Sequence, residues 1–232
     1  MKNKYNYIII LLLITLIITS LLNMKVYSTP KINTISYTKI NKIDETNKNK
    51  IQIYYPITPY KLLNKKINNY IISEEKQFLK DASNYPPRID FYYTFYILYD
   101  EYSYKDYLSY VFYKETYTGG AHPDHNILTI NYNITKNKII TINDLIALNP
   151  NILNSLSNIS RHLLKQNPKF TTHLDLSLLE EGTIPTKENF QNFTLTNTGL
   201  KIYFNYYQIA PYYYGYSEIT IPYNEIGLTI YS

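Results

Sequence analysis

From Ile8 to Leu22 the chain is apolar except for Thr15, Thr19 and Ser20, and ahead of this run stand Lys2 and Lys4 with no acid. A basic segment followed by a short apolar one is the pattern that drives export. The run is shorter than the roughly 20 apolar residues that span a bilayer comfortably. Behind it, Val26-Tyr27-Ser28 supplies a small-residue cleavage pattern, with cleavage expected after Ser28. The alternative is an uncleaved N-terminal anchor made by residues 8–22, since Lys25 lies just past a run rich in Ile and Leu. Either outcome puts the remainder outside the cytoplasm, secreted or tethered to the plasma membrane, with no membrane contact expected beyond this segment.

Export makes the cysteine count decisive, and it is Cys 0. There is then no disulfide framework and no cysteine to carry a lipid, so a packed core of roughly 200 residues must hold the exported part together. That size suits one domain or two small interlocked ones. The division expected is a leader over 1–28, an N-terminal α+β subdomain over 29–100 and a C-terminal α+β subdomain over 101–232.

Charge excludes one class of partner. The whole chain has 23 Lys+Arg against 18 Asp+Glu, but Lys2, Lys4 and Lys25 leave with residues 1–28, so the exported part stands at 20 against 18, or +2. Such a balance gives no case for nucleic acid. The 29 tyrosines also need discounting. Asn, Ile, Lys and Tyr all have A/T-rich codons, so tyrosine abundance alone does not mark a sugar platform.

Along the chain, residues 31–43 alternate loosely, a charged stretch follows from Asp44 to Lys50, and Ile51 to Pro56 reads as a second strand stopped by its proline. Between Pro59 and Ser83 the residues Leu63, Ile67, Tyr70, Ile71, Phe78 and Leu79 recur at helical spacing, predicting the longest amphipathic helix, ended by Pro86-Pro87. Arg88 to Glu101 and Asp106 to Thr118 predict a long hairpin around a polar Tyr-Ser-Tyr-Lys segment. Ile127 to Thr135 and Ile139 to Ile142 predict another. Asn143 is placed to cap a short helix to Leu148, and Pro150 to open a helix over 151–166 with Ile152, Leu156, Ile159 and Leu163 on its buried face. Residues 174–182 are ambiguous. Phe190 to Thr196 and Leu200 to Ile209 predict a third hairpin, Glu218 to Pro222 a closing strand, and Tyr223 to Ile226 a helical turn. Neighbouring hairpins predict an α+β fold: an antiparallel sheet built from hairpins with two main amphipathic helices packed on it.

Several stretches occur in an order that resembles one family: Ile51 to Pro56 (IQIYYP), the helix segment Ile67 to Ile71, Tyr117 to His122 (YTGGAH), Ile142 to Leu145 (INDL), Phe193 to Pro211 (FTLTNTGLKIYFNYYQIAP) and Gly215 to Pro222 (GYSEITIP). They resemble the paired extracytoplasmic domains of unknown function found in lysozyme-receptor anti-sigma-V factors and in the N-terminal part of some peptidoglycan deacetylases. The resemblance implies an α+β module facing the cell wall, which in one branch binds lysozyme and in another accompanies a wall-modifying catalytic domain. Met1 to Tyr7 is too short for a domain that holds a sigma factor, and no clustered Asp and His metal ligands of a deacetylase domain precede Ser232. The expectation is a stand-alone binding or sensor-like part.

The most distinctive segment is Thr118 to His125 (TGGAHPDH). Gly119 and Gly120 open backbone conformations closed to other residues and permit close approach, so Tyr117, Thr118, Gly119, Gly120, Ala121 and His122 are candidate binding residues. The alternative is that the glycines only reverse the chain. His122, Asp124 and His125 invite a metal, but zinc needs at least three protein ligands, and His162 and His173 have no sequence reason to lie close; neither metal nor cofactor is expected. Tyr212, Tyr213, Tyr214 and Tyr216 offer rings with hydroxyl rims for a glycan or protein, or else serve in packing. The pairs Glu74-Glu75 and Glu180-Glu181 point about 100° apart on a helix and read as solvated faces. With no G-x-S-x-G, no H-E-x-x-H and no cysteine, no catalytic residue is assigned. The reading is an envelope-facing binding module for a wall component such as peptidoglycan or for a lysozyme-like protein. The alternative is a wall-glycan hydrolase or deacetylase-like enzyme centred on His122.

Overall fold

The sheet begins with the strand that the sequence stops at Pro56. In a computed structural model, which describes residues 36–85, 91–170 and 175–230, strand β2 (Asn49–Ile57) pairs antiparallel with β1 (Ser36–Asp44) from Ser36↔Ile57 to Asp44↔Asn49. All described residues lie in the unit Ile32–Ser232. The expectations for the leader 1–28, for Pro86-Pro87, for Arg88 and for His173 fall outside them. The β1–β2 turn is closed by Asp44, whose Oδ1 accepts from the N–H groups of Thr46 (2.9 Å) and Asn47 (3.0 Å). Pro56 does not end β2, because pairing with the next strand stops at Ile53↔Ile97. At Pro56 the strand has a neighbour on one side only, where a missing N–H costs no second ladder.

Helix α1 (Lys61–Ser83) buries Leu63, Ile67, Ile71, Phe78 and Ala82, a stripe at helical spacing. Leu79, expected on that stripe, is 42% exposed. Phe78 stacks on Phe95 with centroids 5.2 Å apart and planes at 15°. By crossing the sheet, α1 returns the chain so that β3 (Tyr93–Tyr104) lies parallel to β2. A parallel pair needs such a crossover. The hairpin-only expectation misses it, and the sheet is antiparallel everywhere else.

Strand β4 (Tyr107–Tyr117) follows β3 through a two-residue turn with Lys105 at φ 52°, and their pairing runs unbroken from Thr94↔Tyr117 to Tyr104↔Tyr107. The polar Tyr102 to Lys105 segment is therefore mostly strand, and residue 100 falls inside β3. Strands β5 (Asp124–Asn133) and β6 (Lys138–Ile140) complete a sheet in the order β1-β2-β3-β4-β5-β6. Because β5 starts at Asp124, Asp124 and His125 belong to the strand rather than to the glycine loop. One sheet face packs Phe95, Ile97, Tyr110 and Phe112 against α1; the other carries Val111 and Ile127 against Tyr203.

Thr141, not Asn143, caps α2 (Ile142–Leu148), and Asp144 Oδ2 accepts from the Thr141 N–H at 2.9 Å. Helix α3 (Ile152–Lys165) buries Ile152, Leu156 and Leu164, with Ile159 and Leu163 half-buried beside them. The ambiguous stretch is α4 (Leu176–Gly182), capped by Asp175, whose side chain accepts from the N–H groups of Ser177 and Leu178. After α5 (Lys187–Phe190), the strands β7 (Phe193–Leu195), β8 (Leu200–Phe204) and β9 (Ser217–Ile221) form a second sheet in that order. The fold is α+β. No helix among the described residues is long and apolar enough to cross a membrane.

Side chains stitch the second sheet to the first. Asn131 Nδ2 donates to the Phe193 carbonyl (2.8 Å), the Phe193 N–H to Thr129 Oγ1 (3.0 Å), and the Leu195 N–H to Ser109 Oγ (3.1 Å). Such buried polar bonds fix a unique seating, since leaving either partner unpaired is costly. The result sets the segment after β8 against the start of β5.

Candidate functional site

Loop 118–123 connects β4 to β5. Gly119 and Gly120 sit at φ 101° and 110°, where side chains are strained, and nothing lies within 4 Å of where their Cβ atoms would be. The glycines are needed for chain direction and not for close packing. Tyr117 Oη donates to the Gly120 carbonyl at 3.1 Å and folds the loop on its own strand. Gly120, Ala121 and His122 are exposed.

The second element is the segment after β8, which ends at Phe204 and not at Ile209. Asn205 Oδ1 accepts from the Ile127 N–H at 2.6 Å, and Gln208 Oε1 accepts from the Asn205 N–H at 3.0 Å. Pinned this way, the chain turns with Tyr207 at φ 61°, a left-handed conformation uncommon for a bulky residue. Tyr206, Tyr207 and Tyr212 are thereby brought to the glycine loop.

The two elements meet ring on ring. His122 stacks on Tyr212 with centroids 3.8 Å apart and planes at 21°, and His125 on Tyr206 at 4.4 Å and 12°. Tyr212 also lies 5.2 Å from Tyr206 and 5.6 Å from Tyr207. Tyr212 Oη donates to the Pro123 carbonyl at 3.0 Å. The same carbonyl is 2.8 Å from His122 Nδ1. A carbonyl only accepts, so Nδ1 carries the proton, and in the neutral ring Nε2 accepts from Tyr207 Oη at 3.3 Å. Burial, together with neighbouring Tyr216 and Glu115, raises the Tyr206 pKa, and burial with Tyr206 raises that of Tyr212. Both phenols stay neutral.

What this cluster offers is a rigid aromatic face with hydroxyl rims, suited to stacking and to hydrogen bonds with polar ligands. His122 has both nitrogens engaged, and His125 Nδ1 is 3.8 Å from Glu115, too far for a hydrogen bond. Among the described residues, no three of His, Cys, Asp or Glu gather as metal ligands.

The structure brings Tyr117, His122 and Tyr212 together but separates the rest of the tyrosine loop. Tyr213, 68% exposed, pairs with Tyr214 at 4.2 Å; Tyr214 packs on Phe170 at 5.2 Å; Tyr216 lies 5.5 Å from Tyr113. Pattern alone does not single out Tyr206 and Tyr207, because the expected strand from Leu200 to Ile209 runs through them. The Gln208-Ile209-Ala210-Pro211 sequence, poor in strand alternation, was the available signal that the strand ends earlier. Glu74 and Glu75 are not a solvated face: they pair across to Lys114 (2.6 Å) and Lys42 (2.5 Å) of the sheet.

Residues 143–224 match the family described as "Protein of unknown function (DUF3298)". Among curated proteins, the chain is 30% identical over 178 residues to the peptidoglycan-N-acetylmuramic acid deacetylase PdaC of Bacillus subtilis (strain 168), covering 73% of this chain and 36% of that one. This chain thus spans about a third of that relative's length. Among solved structures, a DUF3298 family protein from Pseudomonas aeruginosa PAO1 superimposes with a TM-score of 0.60 at 16% identity, covering 83% of this chain and 92% of that one. A member of the same family from Bacteroides fragilis gives 0.55 at 21% identity, covering 88% and 95%. At these identities the structures speak for the fold alone.

Proposed function

We propose that this chain, which carries a DUF3298 domain over residues 143–224, is an exported, wall-facing binding module. Its ligand is a wall component or a lysozyme-like protein, held on the aromatic face of His122, Tyr206, Tyr207 and Tyr212. The carrying observation is the seating of the exposed glycine loop on that cluster, with His122 stacked on Tyr212 at 3.8 Å. Rigid aromatic side chains supply contact area at low entropic cost and are the usual anchors of recognition surfaces. Similarity to a peptidoglycan deacetylase supports the wall as the setting. Export by residues 1–28 accords with it. The engagement of both His122 nitrogens speaks against a hydrolase centred there.

The test is co-sedimentation of the full chain with purified peptidoglycan, alongside a calorimetric titration with lysozyme. One of the two is expected to bind, and Tyr212→Ala to weaken it at least about tenfold, the scale of losing one interface anchor. If neither ligand binds, or if the variant binds undiminished, the reading fails.

A further inference from the structure

Helix α1 turns one side to the sheet and sorts its charges in doing so. Glu74 and Glu75 face the sheet, where Lys114 of β4 and Lys42 of β1 hold them in ion pairs of 2.6 and 2.5 Å. The third acid of the helix, Asp81, falls in line with Leu63 and accepts from Gln77 Nε2 at 2.9 Å. The helix also carries Lys61, Lys65, Lys66, Lys76 and Lys80, all exposed, and among the described residues none of these five stands in an ion pair. At about 100° per residue, Lys61, Lys65, Lys76 and Lys80 fall within a sector of roughly 100°, on the side opposite Leu63, Ile67 and Ile71, and Lys66 flanks it.

This sorting works against the helix itself. Lys61 and Lys65, and again Lys76 and Lys80, are like charges four residues apart, which repel along a helix. A face that served solubility alone would mix the two signs. Set among the lysines are Leu62, Ile72 and Leu79, which are 39%, 63% and 42% exposed. A dissolved polyanion would satisfy the ammonium groups and leave these three side chains in water. A lipid surface takes both: headgroup phosphates pair with the ammonium groups, the lysine stems lie along the apolar boundary, and the three side chains enter it.

We infer that the outer face of α1 docks on an anionic lipid surface, a membrane contact beyond the N-terminal segment. In the tethered form it lies within reach, because residues 23–35, between the apolar run and β1, extend at most roughly 45 Å. Helix α1 covers the sheet face opposite the one that holds Tyr203. Docking through its outer side therefore leaves the His122–Tyr212 cluster uncovered and turned away from the membrane. The contact uses a different surface from that cluster and does not depend on its ligand.

Because the chain has Cys 0, Ile72→Cys supplies a single thiol for an environment-sensitive fluorophore. The labelled full chain is mixed with vesicles of phosphatidylcholine alone, and with vesicles of phosphatidylcholine and phosphatidylglycerol at about 3:1. The label reports on the helix face alone, whatever residues 8–22 contribute to vesicle association. Its emission is expected to shift to shorter wavelength on the anionic vesicles and not on the neutral ones, while a label at Tyr213→Cys shifts on neither. Adding Lys65→Gln/Lys76→Gln/Lys80→Gln, at exposed positions outside the core, should abolish the Ile72→Cys shift. Salt at about 1 M, where the Debye length is about 3 Å, should remove most of it. No shift, an equal shift on both vesicles, or a shift that survives the triple variant overturns the proposal. A shift produced by soluble polyphosphate and not by vesicles overturns it too, and assigns the face to a dissolved polyanion. Any of these results leaves the wall reading to its own test, co-sedimentation with peptidoglycan.

Discussion

The His122 ring lies on the Tyr212 ring, centroids 3.8 Å apart, and this contact joins the β4–β5 loop to the segment after β8. Neither element holds the arrangement by itself. The loop contributes the Pro123 carbonyl, which accepts from Tyr212 Oη at 3.0 Å, and the second segment contributes Tyr207, 3.3 Å from His122 Nε2. A ring pair of this kind is worth about 0.5–1.5 kcal/mol beyond its burial. Tyr212→Ala should therefore cost about 1–3 kcal/mol of stability as well as weakening ligand binding. Tyr213→Ala, at a ring 68% exposed and outside the cluster, should stay within about 0.5 kcal/mol. Urea unfolding of the two variants, read against wild type, checks the contrast. Equal losses would mean that the cluster is not a structural unit.

Gly119→Ala separates the two meanings of the glycine loop. At φ 101° a Cβ is strained whatever space surrounds it, and here the space is open. The cost is of order 1–3 kcal/mol if the conformation is kept, but an exposed loop can relax and lose less. The expected outcome is a stability change near 1 kcal/mol with a larger loss of ligand binding, because relaxation moves His122 off Tyr212. Unchanged binding would show that the glycines only turn the chain, the alternative that the sequence leaves open.

Gly182 answers to a different constraint. A Cβ there would sit 1.8 Å from the Gln208 carbonyl oxygen, a backbone atom that cannot swing aside. Gln208 Nε2 in turn donates to the carbonyls of Gly182 (3.0 Å) and Asn189 (3.1 Å), so α4 is locked to the segment that carries Tyr207. Gly182→Ala should destabilise by about 1–3 kcal/mol or more, as overpacking does. It should also disturb the aromatic cluster, seen as a change in near-ultraviolet circular dichroism. A variant with wild-type midpoint and spectrum would refute the close approach.

Much of the fold was legible because local pattern and burial agree. Leu63, Ile67 and Ile71 recur at four-residue spacing and are all buried on the sheet. What escaped depended on contacts between distant segments. The parallel β2–β3 pair follows from where α1 returns the chain, which periodicity does not encode, and β2 survives Pro56 only because its second neighbour has already departed. In the site, the glycine loop and Tyr212 were readable as unusual local sequences. Tyr206 and His125 were not, since their role comes from stacking at 4.4 Å between a residue of β5 and one in the turn after β8. In a chain with 29 tyrosines, the ones that matter are chosen by such meetings rather than by their number.

Acid should unfold this protein partly through the cap of α2. Burial by itself would raise the Asp144 pKa, but hydrogen bonds from Lys138 and from the N–H and hydroxyl of Thr141 outweigh it and hold it below the ordinary 3.8. A carboxyl whose folded value is depressed binds fewer protons folded than unfolded over that window. Its stabilisation is therefore fully present above pH 3.8 and is lost as pH falls through the lower, folded value. Asp144→Asn should lower stability at pH 7, flatten the pH dependence below 3.8, and converge with wild type at the most acid pH where both still fold. Thr141→Ala, which keeps the backbone N–H but loses the hydroxyl, should show a smaller change of the same sign. Urea midpoints taken from pH 7 down to pH 2 provide the measurement, and parallel curves for wild type and Asp144→Asn would show that this carboxylate takes no part in the acid transition.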